Sequence, residues 1–522
     1  MADSFDIIII GSGAGGGTLA QRLAATGKKI LILERGEHLP REAENWDPKT
    51  VFIDKKYNTK EHWYDKAGKP FIPNTHYWVG GNTTFYGAAL MRLREGDFQE
   101  TQHAGGVSPA WPITLEEMDP YYTEAEHLWR VHGTRGVDPT ETGKEPPYAF
   151  PAIKDDPGIA RLRSHLQGQG WNPFSLPLGV DLDQARPVIS SCIRCKTCGG
   201  YPCLVKAKSD ARTLAIEPLL HMPNVTLLTG RKVIRLETDG SGKTVKEVVC
   251  ETPQGEERWS ADIVVLAAGA VNTAVILQAS ANGAHPNGLA NGSDQVGRNY
   301  AFHTLTAMVS LTLGPLDTTF PKTLAVNDFY YKDPRGGFDL PMGHIQMLEY
   351  MSGQTLEGQV SDYLPPALVP DVIMNAMAHR MLSFLVISED LPMPENRVRL
   401  GADGRINLDY THNNLEGHQR LVKTLDAALD GFVDHRHPIS QHRFDLGSLL
   451  PLYGTAHQVG TTRFGHDPQN SVLDDNCKAH ELDNLYVVDS SFFVSSAAVN
   501  PTLTIVANAM RVGDHLKERL GA

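Results

Sequence analysis

Several features that mark other classes of protein are missing from this sequence. No apolar run reaches the roughly 20 residues that a membrane-spanning helix needs, because polar residues or proline interrupt the two most apolar stretches, 263–279 and 492–510. There is no block of like charge and no repeat of fixed period, which disfavours disordered and solenoid proteins. The first residues lack the charged and apolar regions of a secretory signal. We therefore expect a globular, cytoplasmic protein.

Positive charge is scarce. Lys and Arg number 48 against 61 Asp and Glu, and the formal net charge is −13. Such a chain repels nucleic-acid phosphates and anionic lipid headgroups, so we expect neither nucleic acid nor a membrane as a partner. With 522 residues, of which 41% are apolar, the chain is long enough for more than one globular domain. A single small binding module is therefore excluded.

A glycine-rich turn stands between two apolar segments near the start of the chain. Residues 7–10 lead into Gly11-x-Gly13-x-x-Gly16, which opens a helix, and a second strand ends at Glu34. In a dinucleotide-binding βαβ unit the three glycines allow a tight turn, close approach of the pyrophosphate and close packing of the helix, while the acid accepts ribose hydroxyls. The spacing predicts a dinucleotide site in which Glu34 disfavours a 2′-phosphate. The alternative is a tight turn in a βα unit that binds no nucleotide.

The rest of the chain shows two kinds of pattern. Strand–helix patterns recur around the Ala268-Gly269 turn and before a terminal helix over 502–520. Residues 300–450 instead alternate short apolar stretches with Pro and Gly turns, which is typical of an antiparallel sheet. We predict an α/β fold (α+β overall), with a Rossmann-like nucleotide-binding domain of discontinuous segments and a substrate-binding domain built on an antiparallel sheet. The predicted bounds are 1–300 and 451–522 for the first domain, with loops 37–150 and a cysteine loop 190–210 on its substrate side, and 301–450 for the second.

Four blocks, in order along nearly the whole chain, together resemble the glucose–methanol–choline (GMC) oxidoreductase family. They are the turn and acid at 11–34, GGNTTFYG at 80–87, HQVGTTRFG at 457–465, and 489–504 with its NPTLT end. In style the chain is most similar to pyranose and glycoside oxidases and to bacterial sugar dehydrogenases. The resemblance implies an FAD-dependent enzyme that oxidises a CH–OH group of a sugar, glycoside or polyol by base-assisted hydride transfer to the flavin.

The resemblance also implies which residues contact FAD. The second glycine pair runs past the pyrophosphate and flavin, Val233 meets the adenine, and Asp489 lies beside the pyrophosphate and ribityl chain. The helix N-terminus after Asn500 lies at the pyrimidine end of the flavin, where it stabilises negative charge. The full implied set is Gly11, Gly13, Ala14, Gly16, Glu34, Arg35, Gly80, Gly81, Asn82, Thr83, Gly87, Val233, Ala268, Gly269, Asp489, Asn500, Pro501 and Thr502.

One position departs from the sugar-oxidising members that the chain resembles. Pyranose oxidases attach FAD through a histidine that follows the second glycine pair, and this chain has Phe85 in that place. His76 precedes the glycines and does not match that histidine. Because phenylalanine cannot form the bond, we predict that FAD is held without a covalent link.

Two residues are implied as the catalytic pair. Alcohol oxidation needs a base for the hydroxyl proton, and a neutral imidazole suits that task. His457 matches the family's base, and Asn500 matches the second active-site position, where it would hydrogen-bond the substrate oxygen. The alternative is a structural core histidine and an asparagine that caps the helix beginning near Pro501. His303 is a weaker catalytic candidate, and we expect it to be structural.

Four of the six cysteines are crowded together as Cys192-x2-Cys195-x2-Cys198-x4-Cys203. Bacterial ferredoxins use C-x2-C-x2-C-x3-C-P, which differs in its last interval and in the place of the proline. The alternatives are an iron–sulfur cluster that relays electrons, a zinc site, and a loop that binds no metal. A second group, which we expect to be solvated rather than to hold a metal, is His435, His437 and His442.

Three functions compete. The first is FAD-dependent alcohol or sugar oxidation, with the flavin reoxidised by O2 or another acceptor. The second is an iron–sulfur-containing dehydrogenase subunit that passes electrons to a cytochrome or quinone. The third is a catalytically silent flavin-binding subunit, which the presence of His457 and Asn500 disfavours. The implied partners are a small alcohol or sugar and an electron acceptor, and a homo-oligomer or a redox partner subunit is compatible with the sequence.

Overall fold

Two five-stranded sheets, one parallel and one antiparallel, organise the molecule. The structure is a computed structural model that describes residues 5–312, 314–350, 352–354, 375, 378–432, 450–454 and 456–522. Part of the predicted substrate-binding stretch 301–450 lies outside the described residues, as do His435, His437 and His442. Among the described helices, none is both long and apolar enough to cross a membrane.

The parallel sheet forms from apolar segments that are distant in sequence. Its strands are β1 (Phe5–Ile10), β2 (Ile30–Leu33), β11 (Val225–Leu228), β15 (Ala261–Leu266) and β22 (Leu485–Val487). They lie in the order β11-β2-β1-β15-β22, and every neighbouring pair is parallel. The isoleucines at 7–10 are all buried, as expected for a parallel strand that is covered on both faces. This is the Rossmann-like arrangement that the sequence predicts.

Helices pack beside this sheet and begin near one of its edges. The described α-helices are α1 (Ala14–Ala24), α2 (Leu115–Leu128), α3 (Pro157–Gly168), α4 (Ala270–Ala279), α5 (Leu415–Ala428) and α6 (Thr502–Leu520). α1 starts just after β1, α4 just after β15, and α6 packs against α1. Close contact between α1 and α6 requires Gly513, where a Cβ would lie 2.6 Å from Cγ of Arg22.

The second main sheet is antiparallel. Its strands, in spatial order, are β16 (Thr304–Leu311), β19 (Met381–Ser388), β18 (His344–Met347), β17 (Leu324–Val326) and β9 (Phe174–Ser175). All pairs are antiparallel, and α3 and α5 share an apolar core with this sheet. The predicted antiparallel sheet is confirmed, but β9 comes from outside 301–450.

Smaller sheets complete the fold. One has the order β20 (Arg397–Leu400), β21 (Ile406–Asp409), β3 (Trp63–Asp65) and β4 (Pro70–Phe71); a second has β10 (Leu178–Gly179), β7 (Val131–Gly133) and β8 (Phe150–Pro151); a third has β12 (Lys232–Thr238), β13 (Val245–Thr252) and β14 (Gly255–Trp259); and β5 (Thr101–His103) pairs with β6 (Gly106–Ser108). Short 3₁₀ or π turns lie at Ala43–Trp46, Lys49–Ile53, Gly81–Thr84, Glu95–Phe98, Arg212–Ile216, Glu217–His221, Leu452–Gly454 and Ser490–Phe492. Segments far apart in sequence therefore pair throughout the molecule, and the α/β class is confirmed.

Candidate active site

A large cavity of about 840 Å³ lies between the two main sheets. One wall is the carboxyl edge of the parallel sheet, through residues that follow β1, β2, β15 and β22. The opposite wall includes residues 346–349 at the end of β18 and Leu385 of β19. Ligands of open α/β sheets bind outside the carboxyl ends of the strands, so this cavity is where a bound group is expected.

The first glycine turn faces the cavity, and its surroundings explain why glycine stands at Gly13 and Gly16. At Gly16 a Cβ would lie 2.1 Å from the carbonyl oxygen of Gly11, so only glycine lets α1 approach the turn this closely. At Gly13 a Cβ would meet nothing within 4 Å, and Gly13 lines the cavity. One glycine is therefore needed for packing within the protein, whereas the other leaves room for a ligand.

Glu34 holds this turn in place. Its Oε2 accepts hydrogen bonds from the backbone N–H of Ser12 at 3.0 Å and from the Ser12 hydroxyl at 2.6 Å, and its Oε1 accepts from the N–H of Gly36 at 2.8 Å. Burial raises the pKa of this carboxyl, while the hydrogen bonds oppose the rise. Contact of Glu34 with a ribose stays a prediction, but the carboxylate lines the cavity and shapes its glycine wall.

The second glycine pair packs directly on the first turn. The Gly80 N–H donates to the Ser12 hydroxyl at 3.1 Å, and a Cβ on Gly81 would lie 3.4 Å from Cα of Gly13. Residues 81–83 line the cavity beside Gly13. The two glycine motifs, separated by about 70 residues in the sequence, therefore form one continuous backbone wall.

Asp489 ties the end of β22 to the start of α4. Its Oδ2 accepts hydrogen bonds from the Gly269 N–H at 3.0 Å and from the Thr273 hydroxyl, and its Oδ1 accepts from the Ser491 N–H at 2.9 Å and the Ser491 hydroxyl. Burial raises the pKa of the carboxyl, opposed by these hydrogen bonds. Asp489 lines the cavity, so it positions two segments of the wall at once.

The structure brings nearly all the sequence-predicted cofactor residues to this one cavity. Gly16 and Gly80 stand behind the wall, in the packing roles just described, and every other residue of the predicted set lines it. The predicted catalytic pair, His457 and Asn500, lines it as well. The predicted site residues are therefore together in space, although their segments span most of the chain.

Asn500 presents an unused polar atom. Its side chain is buried, and its Oδ1 has no hydrogen-bond partner among the described residues. It is not the N-cap of α6, since Pro501 holds that position without a side-chain cap. Buried polar atoms are nearly always satisfied, so the amide in a ligand-sized cavity points to a donor that a bound molecule brings.

His457 is partly buried at the cavity wall and is neutral at ordinary pH. Burial lowers the pKa of its imidazole to about 4. Its Nδ1 lies 2.9 Å from Nδ1 of His303, whose Nε2 lies 2.9 Å from the carbonyl oxygen of Ser496. The expectation that His303 is merely structural leaves out this direct contact with the predicted base.

Several cavity residues are absent from the sequence predictions. Aromatic and polar examples near the glycine turns are Tyr77, whose ring lies 3.5 Å from the Arg35 guanidinium carbon, and Glu61, which pairs with Arg35 at 3.3 Å. His76 stacks on Phe85 with ring centres 3.9 Å apart. Tyr77 and Glu61 come from irregular loops, where neither periodicity nor a motif gives a signal.

The far end of the cavity holds opposite charges. Glu349 and Lys322 both line it. Burial lowers the pKa of the Lys322 ammonium, but negative charge on Cys198 and on the Glu349 carboxylate opposes this and favours the charged lysine. The net effect raises the pKa of Lys322, whose ammonium donates to the carbonyl oxygen of Gly87. Glu349 accepts no hydrogen bond from the described residues.

The cysteine loop forms part of the same wall without assembling a metal site. All six cysteines are free, and the described part of the chain contains no group of three or more His, Cys, Asp or Glu that could hold a metal ion. Gly199 and Gly200, between Cys198 and Cys203, line the cavity, and a Cβ on Gly199 would overlap the Glu349 carboxylate. The arrangement of the thiols therefore does not support the iron–sulfur or zinc alternatives.

Family models match segments that contain three of the four sequence blocks, at 11–34, 457–465 and 489–504. Models of the GMC oxidoreductase family match residues 177–305 and 395–509, and a model of the NAD(P)-binding Rossmann-like domain matches residues 9–58. The chain is 30% identical to 6'''-hydroxyparomomycin C oxidase of Streptomyces lividus, over 99% of this chain and 92% of that one. It is 30% identical to paromamine 6'-oxidase of Streptomyces fradiae, over 97% and 90%. It is 26% identical to 2-methyl-1,2-propanediol dehydrogenase of Mycolicibacterium austroafricanum, over 99% and 96%.

Solved structures share the fold at lower identity. Pyridoxine 4-oxidase from Mesorbium loti superposes with a TM-score of 0.68 at 18% identity, covering 98% of this chain and 99% of that one. A formate oxidase from Aspergillus oryzae gives a TM-score of 0.67 at 17% identity, covering 99% of each chain. At such identities the likeness concerns the fold alone.

Proposed function

Because this chain belongs to the GMC oxidoreductase family, we propose that its cavity binds FAD and that the protein oxidises a CH–OH group of a sugar, an aminoglycoside or a polyol. The observation that carries the proposal is the meeting of three elements in one cavity. These are a glycine wall open to a ligand at Gly13, a neutral imidazole at His457, and the unsatisfied amide oxygen of Asn500.

The residues present fit FAD. Gly13 and Gly81 would lie against the pyrophosphate, Asp489 near the ribityl chain, and residues 500–502 at the flavin end, with the N-terminus of α6 supplying partial positive charge there. FAD, when bound, supplies the oxidant that accepts a hydride from the substrate carbon. Phe85 faces the same cavity without a group that could bond to the flavin, so we propose non-covalent binding.

The chain's own residues account for the remaining chemistry. The substrate C–H bond breaks and its electron pair leaves as hydride. The O–H proton passes to the imidazole of His457 as the C=O bond forms. Loss of one hydride and one proton balances the two-electron oxidation of an alcohol to a carbonyl. The side-chain N–H of Asn500 donates a hydrogen bond to the oxygen as negative charge develops on it, which is the stage at which a fixed donor contributes most. Its unsatisfied Oδ1 is left to accept from another donor group of the bound ligand.

An amino sugar is the substrate class that the far end of the cavity favours. The two relatives that are 30% identical are by name oxidases of paromomycin-type and paromamine substrates. Glu349 offers a carboxylate without a described hydrogen-bond donor, and an ammonium group is a suitable partner for it. The nearby Lys322 can meet hydroxyl oxygens or a second polar group of the same substrate.

The proposal is tested on the purified, FAD-loaded protein. Oxidation of paromamine, a matched sugar without amino groups and a small diol is followed with O2 and, separately, with a dye acceptor. We expect turnover on an alcohol and release of all flavin on acid precipitation. Failure of the protein to take up added FAD would overturn the proposal, and FAD uptake without turnover on any alcohol would favour the silent flavin-binding subunit instead. O2 consumption against dye reduction separates an oxidase from a dehydrogenase.

A further inference from the structure

Two histidines, rather than one, stand at the proposed site of proton transfer. Nδ1 of His303 lies 2.9 Å from Nδ1 of His457, and the rings are nearly perpendicular, with an interplanar angle of 85°. His457 lines the cavity, whereas His303 is fully buried behind it at 0% exposure. The contact therefore joins the predicted base to a group that no substrate can reach.

The partner of His303 on its other side decides where its proton lies. Nε2 of His303 is 2.9 Å from the carbonyl oxygen of Ser496. A carbonyl oxygen can only accept a hydrogen bond, so Nε2 carries the hydrogen. Burial lowers the pKa of His303 well below its usual range, and a neutral imidazole has one N–H only. Its Nδ1 is therefore a lone pair that faces His457.

The same reasoning then fixes the proton on His457. A hydrogen bond between two nitrogens needs one donor, and since Nδ1 of His303 is an acceptor, Nδ1 of His457 must donate. The neutral ring of His457 consequently has no hydrogen on Nε2. Nε2 makes no hydrogen bond with the described residues, and it lies on the part of the ring away from His303.

The carbonyl that starts this chain of hydrogen bonds is itself held rigidly. The hydroxyl of Ser496 accepts a hydrogen bond from the N–H of Asp390 and donates one to the carbonyl oxygen of Asp390, each at 3.1 Å. The Asp390 carboxylate in turn accepts from the N–H of Phe302, next to His303, at 2.9 Å. All these residues are buried, so the orientation of His303 is set by the fold before any ligand binds.

We propose that His303 is a positioning residue that holds His457 in the tautomer protonated at Nδ1, so that Nε2 is left as the acceptor of the substrate proton. The inference rests on the proposed function in assigning the proton transfer to His457. The tautomer itself is a property of the protein and is measurable without turnover.

Two substitutions separate the positioning role from a merely structural one. In His303→Asn the side-chain oxygen can take the place of Nδ1 and still accept from His457, although the bond to Ser496 is lost. In His303→Gln the side-chain N–H can take the place of Nε2 and still donate to Ser496, but no acceptor is left opposite His457. Both variants remove an imidazole from the core, so each serves as the other's control for folding.

We expect His303→Gln to lower kcat by about 10²–10³-fold, as loss of a positioned base or its correct tautomer does, with KM and flavin content little changed. His303→Asn should keep kcat within about tenfold of the parent protein, because the acceptor persists. Nitrogen NMR of protein labelled with ¹⁵N-histidine, with the His457 signals assigned from His457→Gln, should find the hydrogen on Nδ1 in the parent and in His303→Asn and a mixture of tautomers in His303→Gln.

The outcomes distinguish this inference from the proposed function. If His457→Gln keeps full activity, the proposed base is wrong. If His457→Gln abolishes activity while His303→Gln and His303→Asn have equal kcat, the positioning role is wrong although the base is right. A parent protein whose His457 carries its hydrogen on Nε2 overturns the inference whatever the enzyme oxidises.

Discussion

The two ends of the cavity are built by different means. The end at the parallel sheet is formed largely by backbone: glycine turns, helix N-termini, and two carboxylates, Glu34 and Asp489, that accept hydrogen bonds from backbone N–H groups and nearby hydroxyls. The far end is made of side chains, such as Lys322 and Glu349, that come from unrelated segments. Backbone recognition depends little on side-chain identity and suits the proposed cofactor, whereas side-chain recognition can vary with the substrate.

The largest effect on FAD binding is expected from substitutions in the first glycine turn. In Gly16→Ala the new Cβ would lie 2.1 Å from a carbonyl oxygen, so both FAD binding and the stability of the FAD-free protein should fall. In Gly13→Ala the Cβ enters open space in the cavity, so FAD binding should fall while the melting temperature of the FAD-free protein stays unchanged. Flavin absorbance per chain and thermal unfolding without FAD measure the two effects. Equal loss of apoprotein stability in both variants contradicts the division between packing and ligand glycines.

A smaller effect is expected at the side-chain end. Glu349→Gln should raise KM for an amino sugar by about 10-fold or more, since a hydrogen bond to a charged group contributes about 1.5–3 kcal/mol, and should leave KM for a neutral diol and the flavin content unchanged. Glu100→Gln, at an exposed position away from the cavity, is the matched control. Equal changes on both substrates would show that Glu349 does not recognise an amine.

The smallest effect concerns pH. Because burial lowers the pKa of His457 to about 4 from 6.5, the base stays unprotonated and kcat/KM should be flat from about pH 6 to 8. It falls only as pH drops toward the lowered pKa and the base takes up a proton. For stability the sign is the same: the unfolded imidazole binds its proton below 6.5 while the folded one does not, so acid favours unfolding. An inflection of kcat/KM at the ordinary imidazole pKa would mean that His457 is solvated or is not the base.

Prediction from the sequence was best where backbone geometry imposes residue type. Gly11, Gly16 and Gly80 mark close approaches that a side chain would block, so the residue type at these positions is constrained and can be recognised in the sequence. The β-strands of the parallel sheet are visible because burial on both faces demands continuous apolar runs. The recruitment of β9 from 174–175 into the antiparallel sheet gave no such signal, because a two-residue strand has no periodicity.

The cysteine loop shows that spacing along the chain does not by itself bring side chains together as ligands. Four thiols within twelve positions suggest ligands, yet in the described structure they form no group able to hold a metal, and the loop instead offers Gly199 and Gly200 to the cavity wall. Metal binding depends on the convergence of side chains in space, whereas sequence spacing gives only their order along the chain.

The α/β class, the family, the dinucleotide turn and the candidate pair His457 and Asn500 can be recognised in the sequence, because each is encoded in a contiguous block. The folded structure is needed to see that Glu34 and Asp489 brace the wall, that Lys322 and Glu349 share its far end, and that His303 contacts His457. Those relations join residues up to 220 positions apart, and a hydrogen bond depends on distances between atoms that are near one another only in the folded chain.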